Sequence, residues 1–449
     1  MAKLNSLWRW LPLVVVLVVF TLYLVAIQPH LNSYTSDEIW YVSAARNFIN
    51  EVGLGRYIAG YGVTVAPSPP CNVTSASPSI YYKDYLMAWY SNVTYTQLRN
   101  LLDNPSCIVR FGYYYPDKQS IVTYLNIEHP WFGKYFMVLS MLLLGDKPVS
   151  WRVPSMVLSV LMLILVYYIA LRLSNGNVAY ASLAAVTLLM DATFRDVGII
   201  ALLDIYVGFF TLLTVYLYFT GRYTSSAIAS GLAVASKYPG AFTVFSGAYL
   251  ETYRRNGIWG LAYLAIAFIV FIIPQLPIVY LVGGIHNYIS DVFFYLKWFT
   301  EPRPPGPVAS NPLDWLIGID SFVNNVTPPL YAMGLPGAYL VALAYSVMLI
   351  EPHVKGRLFN EVNINELSIP VTLLTIWLGF WLIYFLGDTT LYSYYTMQFA
   401  ALVPLTLVLA MSRAKPKAKI WIILGAIAGV AYGISVQWRI LHSLIISIA

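Results

Sequence analysis

Two adjacent carboxylates, Asp37 and Glu38, lie in the stretch "YTSDEIWYVSAARNFIN" (34–50), a few residues after an apolar run from Trp10 to Ile27. Only 10% of the residues are charged, so an acidic pair beside such a run needs a reason. One reading is structural: Ser36 followed by Asp37 and Glu38 fits a helix cap with a negative first turn. The other is chemical: a carboxylate placed there can take a proton from an acceptor hydroxyl. Further ionisable residues recur near the ends of apolar runs. "NIEHPWFGKYF" carries Glu128, His129 and Lys134, and "WRVPS" carries Arg152. Asp191, Arg195 and Asp196 fall between two apolar runs, Asp204 falls inside one, and Lys237 sits in "SKYPG". Ionisable groups at membrane depth are costly, which makes each a functional candidate. Arg152, Lys134 and Lys237 would suit a phosphate leaving group, arginine through paired hydrogen bonds. With Asp37 or Glu38 as base, the set suits transfer of a group from a lipid phosphate to a hydroxyl. Each residue also has a structural role open to it. Asp204 fits a helix-orienting partner in a bundle, His129–Pro130 a turn, and Asp191 and Asp196 helix caps.

The elements that must position these residues are membrane helices. The chain has 449 residues, 59% of them apolar, and several apolar runs exceed the roughly 18 residues that cross a bilayer. The expected fold is an all-α polytopic membrane domain over 1–449, with about eleven spans and no separate soluble domain or repeat. No small-residue cleavage site follows the first run, so it reads as a retained span. Placing Lys3 and Arg9 inside fixes the orientation. Spans are then expected at about 10–28, 151–173, 178–191, 197–220, 225–236, 240–252, 258–282, 331–350, 368–386, 391–411 and 418–441. The short pair 225–236 and 240–252 is needed because Arg222 and Arg254–Arg255 must share the inner side. Pro239 and Gly240 supply the break, with Lys237 at the outer turn on the side of Asp37. Short broken helices at membrane depth line polar cavities rather than lipid. The long first loop, 29–150, is expected outside with amphipathic helices, and a second large outer loop spans 283–330 with the proline-rich "EPRPPGPVASNP".

Compartment signals agree with that orientation. Both cysteines, Cys71 and Cys107, lie in the first loop and form a candidate disulfide on an oxidising face. Sequons at Asn72, Asn92 and Asn325 all fall outside as well. The net charge of +6 is accounted for by basic inner loops, and no nucleic-acid partner is expected. His286 and His353 are placed on opposite sides. There is no HExxH, CxxC or clustered His/Cys metal pattern and no phosphate- or dinucleotide-binding glycine fingerprint. No cofactor is expected, and metal dependence stays open. Most of the 37 tyrosines read as packing and interfacial belt, including Tyr392, Tyr394 and Tyr395 in "LYSYYTMQF", which also suit a sugar pocket.

The motifs "SDEIWYVSAARNF", "EHPWFGK", "WRVPSMVLSVLMLILVYYIALRL", "IIALLDIYVGFF" and "GLAVASKYPGAF" resemble, in order and spacing, those of the protein O-mannosyltransferases. These are GT-C class membrane enzymes that use dolichyl-phosphate mannose. The resemblance covers roughly residues 30–245, with a looser echo at "YSYYTMQFAALVP". It implies a GT-C fold with an outward-facing site, an inverting transfer of mannose to Ser/Thr hydroxyls of exported proteins, and a polyprenyl-phosphate sugar donor. It makes Asp37 the catalytic base and Glu38 its neighbour, and it places Arg152 on the donor phosphate. His129, Pro130 and Lys134 join the loop that shapes the site. Three departures stand out. Trp131 replaces the second proline of the His-Pro-Pro motif. The arginine usually found before Leu-Leu-Asp gives way to the apolar Ile199 region, with Arg195 the nearest substitute. No sugar-binding insert fits in 283–330. Related GT-C enzymes move pentoses, aminoarabinose or hexoses to lipid or glycan acceptors, which leaves the acceptor open. A transporter would distribute its charges along a central path and show a repeat. Here they gather at one face.

Overall fold

The computed structural model describes residues 8–58, 63–65, 79–82, 85–88, 109–116, 121–300 and 308–448. Cys71, Cys107 and the sequons at Asn72 and Asn92 lie outside them. The chain opens with α1 (Leu11–Ile27), then α2 (Glu38–Glu51). Four short strands follow: β1 (Val63–Val65), β2 (Ser79–Tyr82), β3 (Tyr85–Ala88) and β4 (Val109–Phe111). They pair antiparallel in the order β2-β3-β1-β4, with Val63 opposite both Ala88 and Phe111. The sequence reading expected only helices in this loop. The sheet is built from strands of three or four residues, too short to show an alternating pattern.

The helical body follows: α3 (Phe132–Leu144), α4 (Pro148–Leu173), α5 (Val178–Met190), α6 (Ala192–Val197), α7 (Asp204–Phe219), α8 (Tyr223–Ser236), α9 (Ala241–Arg254), α10 (Gly257–Ile272) and α11 (Leu276–Leu281). The second large loop contains α12 (Ile285–Thr300), α13 (Asp314–Ile317) and a hairpin of β5 (Phe322–Asn325) with β6 (Leu330–Ala332). The last part is helical again: α14 (Ala338–Ile350), α15 (Pro352–Leu358), α16 (Ile364–Phe385), α17 (Met397–Ala400), α18 (Leu402–Arg413) and α19 (Pro416–Ile448).

Among the described residues, five helical segments are long and apolar enough to cross a membrane: Leu11–His30, Pro148–Leu173, Gly257–Leu281, Ile364–Phe385 and Pro416–Ser447. A sixth is the pair Ser393–Ala400 and Leu402–Arg413, bent by 46°. Most of the other expected spans are helices of 13 to 16 residues. At 1.5 Å per residue each reaches only about 20–24 Å, short of a hydrocarbon core. Two of the expected spans ran across breaks in the backbone. The one at 197–220 spanned the irregular stretch 198–203, and the one at 331–350 included β6.

The short helices pack among the longer ones, with α7 in the interior. α7 packs on α4 and α8, and α9 on α10 and α16. Both faces of α7 are buried, including Ile205, Tyr206, Leu212 and Val215. The break between α8 and α9 is a 3-10 turn, Tyr238–Gly240, that folds back on α8. A side chain at Gly240 would lie 2.3 Å from the Ala233 carbonyl carbon, so the turn needs glycine there. This places Lys237, the residue ending α8, beside the first residue of α7, Asp204.

Candidate active site

Asp37 and Glu38 part ways in the structure. Ser36 takes a left-handed conformation (φ 54°), and α2 starts immediately after it. Asp37 occupies the N-cap position, yet its side chain makes no capping hydrogen bond. Glu38 instead takes the Thr35 amide at 2.8 Å and becomes fully buried. Arg152 grips it with two parallel bonds, Nε to Oε1 at 2.7 Å and Nη2 to Oε2 at 2.6 Å. The Ala201 amide donates to Oε1 at 2.7 Å. Arg152 is also fully buried, and it donates to the carbonyls of Leu31 and Ser33 and the hydroxyl of Thr35. All three guanidinium nitrogens are thus engaged within the protein. The pair ties three segments together: residues 31–38, the start of α4 and the stretch before α7. In place of the arginine expected near Ile199, that stretch supplies a backbone amide to the carboxylate. Arg195 is spent elsewhere, donating to the Leu189 carbonyl at 3.0 Å.

Asp37 remains half-buried and accepts a hydrogen bond from the Tyr394 hydroxyl at 3.0 Å. Tyr394 lies 357 positions away, in a 3-10 turn (Ser393–Thr396) that leads into α17. Beside it, Lys237 Nζ donates to both Asp204 oxygens, at 2.9 and 2.8 Å. The ammonium also lies over the rings of Tyr395 (4.3 Å) and Tyr394 (5.2 Å). Asp37 and Asp204 both act electrostatically on the hydroxyls of Tyr41, Tyr394 and Tyr395. One aromatic-walled cluster therefore holds Asp37, Asp204 and Lys237.

The third wall is the loop 126–131. His129 packs edge-on against Tyr41, with centroids 5.6 Å apart. Lys134 is fully buried and donates to the carbonyls of Asn126 (2.6 Å) and His129 (2.9 Å). Its ammonium thus shapes the loop from behind. Pro130 is buried, and Trp131, in place of the expected second proline, forms a hub. The Trp131 amide donates to Gln275 Oε1, its indole donates to the Leu125 carbonyl, and its ring meets Phe48 and Tyr135. Glu128 accepts from Asn126 Nδ2 at 2.7 Å, while its Oε2 is buried without a hydrogen-bond partner. Burial pushes the Glu128 carboxyl up to about 7, against the opposing charge of Lys134.

Two other candidates lie away from this cluster. Asp191 caps α6 by accepting from the Phe194 amide at 3.0 Å, and it takes the Tyr339 hydroxyl at 2.6 Å. Asp196 accepts from Tyr23 at 3.4 Å. The sequence reading missed the buried pair of Arg46 and Asp146, joined at 2.5 Å. Asp146 also accepts from the Trp151 indole and the Tyr113 amide, and Arg46 donates to the Tyr34 hydroxyl. Gly112 (φ 115°) permits this approach, since a side chain there would lie 2.0 Å from the Asp146 carboxylate. Among the described residues no group of three or more His, Cys, Asp or Glu is arranged to hold a metal ion.

The comparisons with known proteins bear on this geometry. Residues 128–284 match the family model described as dolichyl-phosphate-mannose-protein mannosyltransferase. That stretch contains the His129 loop, Arg152, Asp204 and Lys237. Among solved structures, the chain is similar to ArnT from Cupriavidus metallidurans bound to undecaprenyl phosphate. The TM-score is 0.52 at 15% identity, over 93% of this chain and 62% of that one. The apo state of the same protein gives 0.49 at 14% identity, over 94% and 62%. The fold is of the GT-C class. The chain spans about 62% of the length of these solved structures. No curated protein sequence matches it.

Proposed function

We propose that this chain is a membrane glycosyltransferase that moves a sugar from a polyprenyl phosphate to a hydroxyl, with Asp37 as the general base. The observation that carries the reading is the separation of the two carboxylates. Glu38 is sealed by Arg152, whereas Asp37 is turned out of its capping role and bonded by Tyr394, whose ring lies beneath the Lys237 ammonium. The acceptor oxygen attacks the anomeric carbon as Asp37 takes its proton. The bond from that carbon to the phosphate oxygen breaks, and polyprenyl phosphate departs with both electrons. Attack opposite the leaving group inverts the configuration. Lys237, flanked by tyrosines and shared with Asp204, is assigned to the leaving phosphate. Arg152 and Lys134 act behind the site, holding the strands of loop that carry Asp37 and His129.

The donor assignment is supported by the GT-C fold and by the polyprenyl phosphate, undecaprenyl phosphate, named for the similar solved protein. The family-model match favours mannose as the sugar and Ser/Thr hydroxyls of exported proteins as acceptors. The fold likeness to ArnT runs over nearly the whole chain, which keeps a second acceptor class in play: a lipid or glycan receiving a pentose, aminoarabinose or hexose. The site is assigned to the extracytoplasmic side. α7 and α18 lead away from the cluster to an end of the bundle that carries Arg222, Arg254, Arg255 and Arg413, as the inner side should.

The test is transfer of radiolabelled mannose from polyprenyl-phosphate mannose to a Ser/Thr-rich peptide by purified protein, with a lipid-acceptor arm alongside. Label in the peptide supports protein mannosylation. Label only in lipid moves the acceptor to the second class. Well-folded protein that labels neither, with mannose or other polyprenyl-linked sugars, overturns the transferase reading.

A further inference from the structure

A second charged site lies at the other end of α8, fourteen residues or about 20 Å from Lys237. There the loop after α7, the end of α9 and the start of α10 enclose a cavity of about 340 Å³. Three arginines line it, Arg222, Arg254 and Arg255, against one carboxylate, Glu251. Arg254 is already committed. It donates to both Glu251 oxygens, at 2.8 and 2.6 Å, and stacks 3.6 Å over the Tyr223 ring. Arg255 sits 4.3 Å over the Trp259 ring. Among the described residues, neither Arg222 nor Arg255 has an ion pair or a side-chain hydrogen bond. The start of α8 adds positive character, because its N-cap, Arg222, makes no side-chain capping bond and leaves the first-turn amides to other acceptors.

Two exposed guanidiniums without an ion pair, on the lining of one cavity, suit a dianionic or monoanionic oxygen cluster, which a phosphate provides. The rim decides the source of that phosphate. Trp259, 47% exposed, and Ile266 line the cavity from α10, and exposed Ile269 lies three residues beyond Ile266 along that helix. Such a surface suits acyl chains, and a tryptophan at this level marks a headgroup boundary. A soluble phosphate would have no use for it. We infer that this cavity binds the headgroup phosphate of an anionic membrane phospholipid, with Arg222 and Arg255 on the phosphate and the acyl chains along α10. The site shares no residue with the Asp37 cluster.

Native mass spectrometry of the detergent-released full chain tests this with defined lipids. Wild type should retain phosphatidylglycerol in preference to phosphatidylcholine, and millimolar inorganic phosphate should not displace it. R222Q/R255Q should lose that retention by roughly thirty-fold, about what removing two cations near an anionic lipid gives. R357Q, which removes another arginine from the expected inner loops, should change nothing. Equal retention of the two lipids by wild type overturns the proposal without any variant. Displacement by inorganic phosphate reassigns the site to a soluble anion and overturns the lipid claim. Equal losses in R357Q and R222Q/R255Q would reduce the effect to the general positive charge of that side.

Discussion

The two cation–carboxylate pairs nearest the start of α2 are built from similar groups and sit in different surroundings. Glu38 and Arg152 are both fully buried, doubly bonded, and surrounded by backbone donors and acceptors that use up their capacity. Lys237 and Asp204 are nearly as buried, but their neighbours are tyrosine rings and a second carboxylate, Asp37. Arginine's rigid fork suits a permanent strut. A lysine ammonium on a flexible stem can exchange one acceptor for another. Burial alone therefore does not mark a working residue. What separates the pairs is their surroundings: backbone donors and acceptors around Glu38 and Arg152, tyrosine rings and a second carboxylate around Lys237 and Asp204.

The largest effect should come from breaking the strut. Arg152→Ala strands the Glu38 carboxylate in the interior and should cost about 3–5 kcal/mol of stability. The check is the yield of monodisperse protein and its Tm in detergent. Unchanged thermal stability would show that the pair is not a strut. At the second pair, Lys237→Met should lower transfer by about 10²–10³-fold, the scale of losing one preorganised charge at a leaving group. It also strands Asp204. The double variant K237M/D204N should regain Tm while staying inactive, and a return of transfer would remove Lys237 from the chemistry. A smaller effect is expected from Tyr394→Phe. It deletes one hydrogen bond to a charged group, worth about 1.5–3 kcal/mol when buried and less for half-exposed Asp37, so transfer should fall by roughly ten-fold with Tm little changed.

The smallest effect concerns Glu128. Its carboxyl is raised to about 7 by burial, above its unfolded value of about 4.3. The folded chain therefore binds this proton more tightly than the unfolded chain. The associated stability is full below about pH 4 and is lost as pH rises through about 7. Tm should decline across that window in wild type, and Glu128→Gln should flatten the decline. A slope of the same size in both would assign it to other groups.

The gathering of these residues was visible in the sequence, because its signals are local. The acidic pair, the proline–glycine turn at "SKYPG" and the charge placement put Asp37, Lys237 and Asp204 at one end of the bundle. What the sequence did not separate was Asp37 from Glu38. Their roles are set by a left-handed turn at Ser36 and by Arg152, 114 positions away. Arg152 read as a phosphate ligand from its place at a helix start, while its partners, Glu38 and the carbonyls of Leu31 and Ser33, lie more than 110 positions away. Tyr394 read mainly as packing, since nothing local in "LYSYYTMQF" reveals which tyrosine meets a carboxylate 357 residues earlier. Arg46 and Asp146 were passed over for the same reason, being 100 positions apart. Helix ends were less legible than the helices themselves, because an apolar window does not reveal where the backbone turns inside it.

The most direct test is a matched comparison of D37N and E38Q, measuring sugar transfer per folded molecule and Tm in the same preparations. The account predicts that D37N keeps its Tm within a few degrees and loses transfer by about 10²–10⁴-fold, the contribution of a general base. It predicts that E38Q melts markedly lower, while the fraction that folds still transfers sugar. Full activity in D37N, or an E38Q protein that melts like wild type yet transfers nothing, would contradict it.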